Sequence, residues 1–175
     1  MRFSPIALGL SLMLATLSSS GFSQKPDSQI DARSAALTTQ GDAARRAGKL
    51  TAAQDLYETA LAVDPRNRQA YTGLAEVARK QQLPGKAIRL YFEALAIEPN
   101  DPAALAAQGE AMVEKGAVER AKLNLARVKT LCKTECKPAT ELAAAIAKGP
   151  PPTVVTAEAS TVVPPKGEEK TTTKP

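Results

Sequence analysis

Small and apolar residues recur at spacings of three and four through the middle of this chain, the period of a helix that buries one face. The pattern is clearest in residues 68–101, RQAYTGLAEVARKQQLPGKAIRLYFEALAIEPND. Tyr71, Leu74, Ala75 and Ala78 share one stripe and predict a first helix. Gln81 to Pro84 interrupts it, and Pro84 suits the first turn of a second helix, where a missing N–H donor costs little. Ala87, Leu90, Tyr91, Ala94 and Leu95 form the face of that second helix, which Pro99 ends.

The same unit stands before and after. Gly41, Ala53, Tyr57, Ala60 and Pro65 each lie 34 residues ahead of Ala75, Ala87, Tyr91, Ala94 and Pro99, and a third copy continues with Gly109, Ala121, Leu125 and Val128. A period of this length predicts helix-turn-helix units stacked into a solenoid. Ala75, Ala87 and Ala94 must be small where paired helices cross, and Tyr57 and Tyr91 are expected to fill the space between neighbouring units. One helical pair cannot bury both of its faces, so stability requires about three stacked units. Gly48, Gly85 and Gly116 are expected at or near the turn inside each pair, with Asp64–Pro65 and Glu98–Pro99 marking the turns between pairs.

On these residues the chain resembles the tetratricopeptide repeat family, with copies at 34–67, 68–101 and 102–135. The third copy departs from the pattern, with Val128 in place of the second Ala and Lys133 in place of the Pro. The resemblance implies an all-α fold, a right-handed α-solenoid of three repeats. Glu141, Leu142, Ile146 and a run of Ala predict one more amphipathic helix at 136–148 to cap the last apolar face, with Thr134 capping it and Cys136 in its first turn. A lead-in at 24–33 precedes the first repeat, with Asp27 or Ser28 as cap of the first helix.

Both ends of the chain break the helical pattern. Residues 1–23 have Arg2 near the start, an apolar run from Ile6 to Leu17 and small residues after it, which reads as a signal peptide cleaved after Ser23 or Ser20. The run is shorter than the ~20 residues of a membrane-spanning helix, so no span is expected after cleavage; an uncleaved anchor is the alternative. Export to a bacterial periplasm is the expectation, with secretion or tethering as the other destinations. From Gly149 to Pro175 the chain is rich in Pro, Thr, Lys and Glu without helical period, the composition of a disordered tail.

Composition works mainly by exclusion. The 175 residues are 43% hydrophobic but only 3% aromatic, a palette for closely packed helices. The formal charge of +5 is interspersed with acidic residues rather than gathered into a basic run, so no nucleic-acid partner is expected. His is absent, which removes the commonest general base, the commonest metal ligand and any Ser-His or Cys-His nucleophile. No enzymatic activity, small-molecule substrate, cofactor or metal is expected.

The resemblance implies a concave groove lined by the first helices, where family members hold an extended peptide or a partner helix. Thr38, Asp42, Arg45 and Arg46 map onto that surface in the first copy. Thr72, Glu76, Arg79 and Lys80 follow in the second, then Ala106, Glu110, Val113 and Glu114 in the third. Asp42, Glu76 and Glu110 would form an acidic ladder, and Arg45 and Arg79 a basic rung that stops at Val113. The charges could equally be intrahelical, Asp42 with Arg45 or Arg46 and Glu76 with Arg79 or Lys80. Members that grip a C-terminal carboxylate use Lys and Asn where this chain has Thr38, Asp42, Thr72 and Glu76, so that mode is not expected. Cys132 and Cys136 read as a structural disulfide in an oxidising compartment. The expected function is a protein-interaction scaffold of the cell envelope. The alternative is a thiol-disulfide accessory protein using Cys132 and Cys136, and self-association through the end helix is a further expectation.

Overall fold

The computed structural model describes residues 30–134 and 136–152. The signal segment, Asp27 and Ser28, Glu135 and the tail beyond Pro152 lie outside the described residues. Seven helices and no strand occur among those described: α1 (Ala32–Arg46), α2 (Leu50–Val63), α3 (Arg68–Lys80), α4 (Pro84–Ile97), α5 (Pro102–Glu114), α6 (Val118–Leu131) and α7 (Lys137–Lys148). They pack as antiparallel pairs α1/α2, α3/α4 and α5/α6, with α7 laid on α5 and α6. The fold is the all-α solenoid that the period predicts.

Two kinds of joint alternate along the chain. Between pairs, an Asx residue caps the incoming first helix: Asp31 accepts from the Arg33 and Ser34 N–H groups, Asn67 from Ala70, and Asp101 from Ala103 and Ala104. Within pairs no side chain caps the second helix; instead the first helix ends in a left-handed residue. Gly48, Gln82 and Gly116 have φ of +74°, +59° and +83°. Each is followed by an N–H that reaches five residues back, Lys49 to Ala44 O, Leu83 to Ala78 O and Ala117 to Met112 O, which satisfies a carbonyl the helix end would leave open.

One expectation is refined here and one corrected. Gly85 lies near the turn of the second pair, in the first turn of α4, but Gln82 holds the left-handed position that Gly48 and Gly116 hold in the other pairs. Thr134 does not cap α7, which begins at Lys137 with Cys136 as its N-cap residue and no side-chain cap bond. Pro138 falls in the first turn of α7, where its missing N–H donor costs little.

The core is built from aromatic rings set against small residues. Tyr57 is fully buried between units, against Gly41 of its own pair and Gly73 of the next. A Cβ at Gly41 would lie 2.7 Å from the ring, and one at Gly73 would run into it. Tyr91 occupies the same place one unit later among Ala75, Ala87, Ala107 and Ala111. At the third position Leu142 of α7 fills the space over Gly109, where a Cβ would lie 2.7 Å from its methyl. Thus α7 covers the last apolar face, with Leu142 fully buried.

Polar ties cross the first junction. Ser34 Oγ donates to Ala60 O at 2.7 Å, and Asn67 Nδ2 donates to Ser34 Oγ and Thr38 Oγ1 at 2.8 and 2.9 Å. Asp64 accepts from the Arg66 and Asp31 N–H groups and from the Arg66 guanidinium, which hold its carboxyl below the usual range. This contribution to stability is present at neutral pH and is lost as pH falls through the lowered value.

Candidate functional site

The concave side carries an open groove of about 470 Å³ between α3, α5 and α7. Its floor is small: Ala103, Ala106 and Ala107 leave room above α5. Its walls are charged, with Glu76, Arg79 and Lys80 on α3, Glu110 and Glu114 on α5, and Glu141 beyond Pro138 on α7. Because α7 begins one period after α5, it continues the row of first helices and lengthens the groove by one wall.

The charges along this face neither form separate ladders nor pair only within helices. Arg45 of the first unit pairs with Glu76 of the second, and Arg79 of the second pairs with Glu110 at 2.9 Å and Glu114 at 2.6 Å of the third. Each arginine therefore reaches forward into the next unit. Asp42 does pair with Arg45 inside α1, at 3.5 Å, whereas Glu76 pairs across the junction and not with Arg79 or Lys80. The physical reason is the superhelical offset, which brings the end of one first helix beside the middle of the next. Burial of the Arg79 guanidinium opposes its charge, but the Glu114 bond and the adjacent carboxylates outweigh it and hold its pKa above the ordinary arginine value.

Beneath these rungs lie the two tyrosines. Tyr57 Oη donates to Asp42 at 2.7 Å and accepts from Arg45 Nε at 3.2 Å. Burial, then the Asp42 bond, push its pKa up to about 12, against the pull of Arg45. Tyr91 Oη is also buried and lies beside Arg79, close enough for that charge to favour ionisation, yet no approach has hydrogen-bond geometry. Burial pushes Tyr91 to about 12 as well.

Several residues expected on the groove face are placed elsewhere. Thr38 is 3% exposed and bonds to Ser34 O and Asn67 inside the α1–α3 contact, so it is not a groove residue. Val113 is likewise 3% exposed and packs in the core with Ala121, Val128 and Leu142. Thr72 is half-buried and donates to Arg68 O, while Arg46 and Lys80 are exposed. Pro138 and Glu141 were not anticipated; continuing the period one unit further along the chain would have found them.

Cys132 and Cys136 are joined in a disulfide, with Cα atoms 6.1 Å apart, at the corner between α6 and α7. Among the described residues no group of three or more His, Cys, Asp or Glu side chains is arranged to hold a metal ion, and no helix is long and apolar enough to cross a membrane.

Residues 38–104 match the tetratricopeptide repeat family. No curated protein matches the chain. Among solved structures it is similar to the first tetratricopeptide domain of Spaghetti (RPAP3) bound to the HSP90 peptide SRMEEVD, at 23% identity and a TM-score of 0.60, covering 66% of this chain and 91% of that one. The first such domain of human RPAP3 aligns at 22% identity and a TM-score of 0.59, over 66% and 94% of the two chains. The type III secretion chaperone SycD of Yersinia enterocolitica, in complex with a peptide of the translocator YopD, aligns at 15% identity and a TM-score of 0.60, over 65% and 89%. Over residues 38–104 the chain is thus similar to the tetratricopeptide repeat family, and its fold is that of these tetratricopeptide structures.

Proposed function

We propose that the chain is a non-enzymatic protein-interaction scaffold of the bacterial cell envelope, exported to the periplasm, that holds an extended peptide or partner helix in its concave groove. The observation that carries this reading is the groove itself, about 470 Å³ over an alanine floor and open along its length. Two of the similar structures hold peptides, which supports the same use here. The charge balance indicates what kind of segment fits. Glu76, Glu110, Glu114 and Glu141 face Arg79 and Lys80, and Arg79 is already held by two of the carboxylates. A polar segment carrying Lys or Arg is therefore favoured over an acidic one.

The test is fluorescence anisotropy of labelled extended peptides, identical except for Lys or Glu at alternate positions, titrated with the full chain. The Lys peptide should bind more tightly, and Glu141→Lys should weaken it about tenfold, the size expected for a rim charge facing a ligand charge. Equal binding of both peptides, unaffected by Glu141→Lys, would remove the groove as the site. Export is checked by fractionation: recovery in the periplasm without the N-terminal segment is expected, and retention in the cytoplasm excludes it.

A further inference from the structure

A second cleft lies outside the groove, on the side formed by α4, the α5–α6 turn and α6. It is about 610 Å³ and is walled by Ile88, Arg89 and Phe92 on α4, Lys115 in the turn and Arg120 on α6. Phe92 is 64% exposed, although a ring of that size ordinarily finds cover. Arg89, Lys115 and Arg120 are exposed and form no ion pair among the described residues, with Glu93 the one carboxylate on the wall. Elsewhere the arginines at the unit junctions are paired: Arg45, Arg66, Arg68 and Arg79 all meet a carboxylate.

The repeat does not require this cluster. One period earlier, Arg89 and Phe92 correspond to Asp55 and Glu58, and Lys115 and Arg120 correspond to Gln81 and Lys86. The equivalent surface one unit earlier has two carboxylates, no aromatic ring and a single cation, Lys86, so Arg89, Phe92 and Lys115 are not part of the fold's own template. The floor is also fixed. Gln108 donates to Ile88 O at 3.2 Å and accepts from Asn124 at 3.0 Å, so α4, α5 and α6 are tied together beneath the cleft.

We infer that this cleft docks an acidic segment of a protein partner, with an apolar side chain of the segment set against Phe92 and its carboxylates on Arg89, Lys115 and Arg120. Charge complementarity selects the acid, and the exposed ring supplies the anchor that a charge patch alone lacks. The concavity and the Glu93 carboxylate on its wall fit an inserted segment better than a flat anionic membrane. This cleft is separate from the groove and asks for the opposite charge, so the chain would join two unlike partners.

The test is a selection of phage-displayed random peptides on the full-length chain, followed by binding of the recovered peptides to Phe92→Ala and to the double variant Arg89→Glu, Arg120→Glu. All three positions are exposed, and circular dichroism checks that the variants stay folded. The expected result is a set of recovered peptides rich in Asp and Glu around one Leu, Ile or Phe, whose affinity falls tenfold or more in either variant but is unchanged by Glu141→Lys in the groove. The inference is overturned if no acidic peptide is recovered, or if the recovered peptides bind both variants as well as the parent chain. It is also overturned if phosphatidylcholine vesicles containing phosphatidylserine bind the parent chain and lose binding in the variants while the peptides do not, for that result assigns the cleft to lipid.

Discussion

The junction between the first and second units and the junction between the second and third repeat the same design with different tolerance. At the first, Tyr57 lies between two glycines and both of its hydroxyl contacts are made, to Asp42 and from Arg45. At the second, alanines surround Tyr91 and its hydroxyl is left without a hydrogen bond. The difference starts with one residue: Glu76, which occupies in the second unit the place of Asp42 in the first, is drawn across to Arg45. Glu76 links two units, and Tyr91 Oη has no bond to it. The middle unit, whose sequence fits the repeat best, thus carries the less satisfied core.

The largest expected effect breaks the first junction. Gly73→Ala puts a methyl into the Tyr57 ring, and because the ring is fully enclosed it should cost about 3 kcal/mol, at the upper end of overpacking changes. The reverse exchange at the equivalent site of the second junction, Ala107→Gly, removes a methyl and should cost about 1 kcal/mol, mostly through helix propensity. Urea denaturation of both variants measures the contrast, and equal losses would mean the two junctions do not differ.

Next in size are the hydroxyls. Tyr57→Phe should cost about 1–2 kcal/mol because Asp42 and Arg45 lose a buried partner, whereas Tyr91→Phe should stay within about 0.5 kcal/mol or stabilise, since it removes an unbonded buried group. The same variants separate the two at alkaline pH. Both tyrosines are raised to about 12 in the folded chain, so above the ordinary value of about 10 the unfolded chain loses its protons first. Their stabilising contribution is complete below pH ~10 and is lost as pH rises to about 12. Each Phe variant should flatten part of that loss in a series of melts.

The smallest effect concerns the turns. Gln82→Gly should raise stability by about 0.5–1 kcal/mol, because the left-handed backbone there costs a side chain and not a glycine, and Gly48→Gln should lower it by about as much. Thermal melts that show no change in either variant would mean that these turns relax around any residue.

The helices, their pairing and the Ala and Tyr positions were legible because each follows from spacing along one chain. Gln82 was legible too: Gly48 and Gly116 stand two periods apart with Gln82 midway, and the nearby Gly85 distracted from it. The rungs of the groove were not. Whether Glu76 turns to Arg79 on its own helix or to Arg45 on the preceding one depends on the offset between units, which no helical period contains. Thr38 was misread for a related reason. Its position faces the groove by period, but Asn67, besides capping α3, turns its amide to Thr38 and Ser34 and draws both into the contact. The cations around Phe92, which form no ion pair among the described residues, were hidden by averaging, since along the chain they are interspersed with carboxylates and only folding gathers them.

The packing of α7 over Gly109 through Leu142 bears on how the chain reaches its structure. Among the described residues, substantial helix contacts run only within a unit or to its neighbour, and α7 closes the row. Such a topology has little loop entropy to overcome before contacts form, so folding can start in any unit and spread outward, on the fast side for a domain of this size. The Cys132–Cys136 loop, only four residues in span, sets no long-range constraint on that order. The ends should open and close many times for each complete unfolding, with amide exchange slowest in α3 and α4 and fastest in the outer helices.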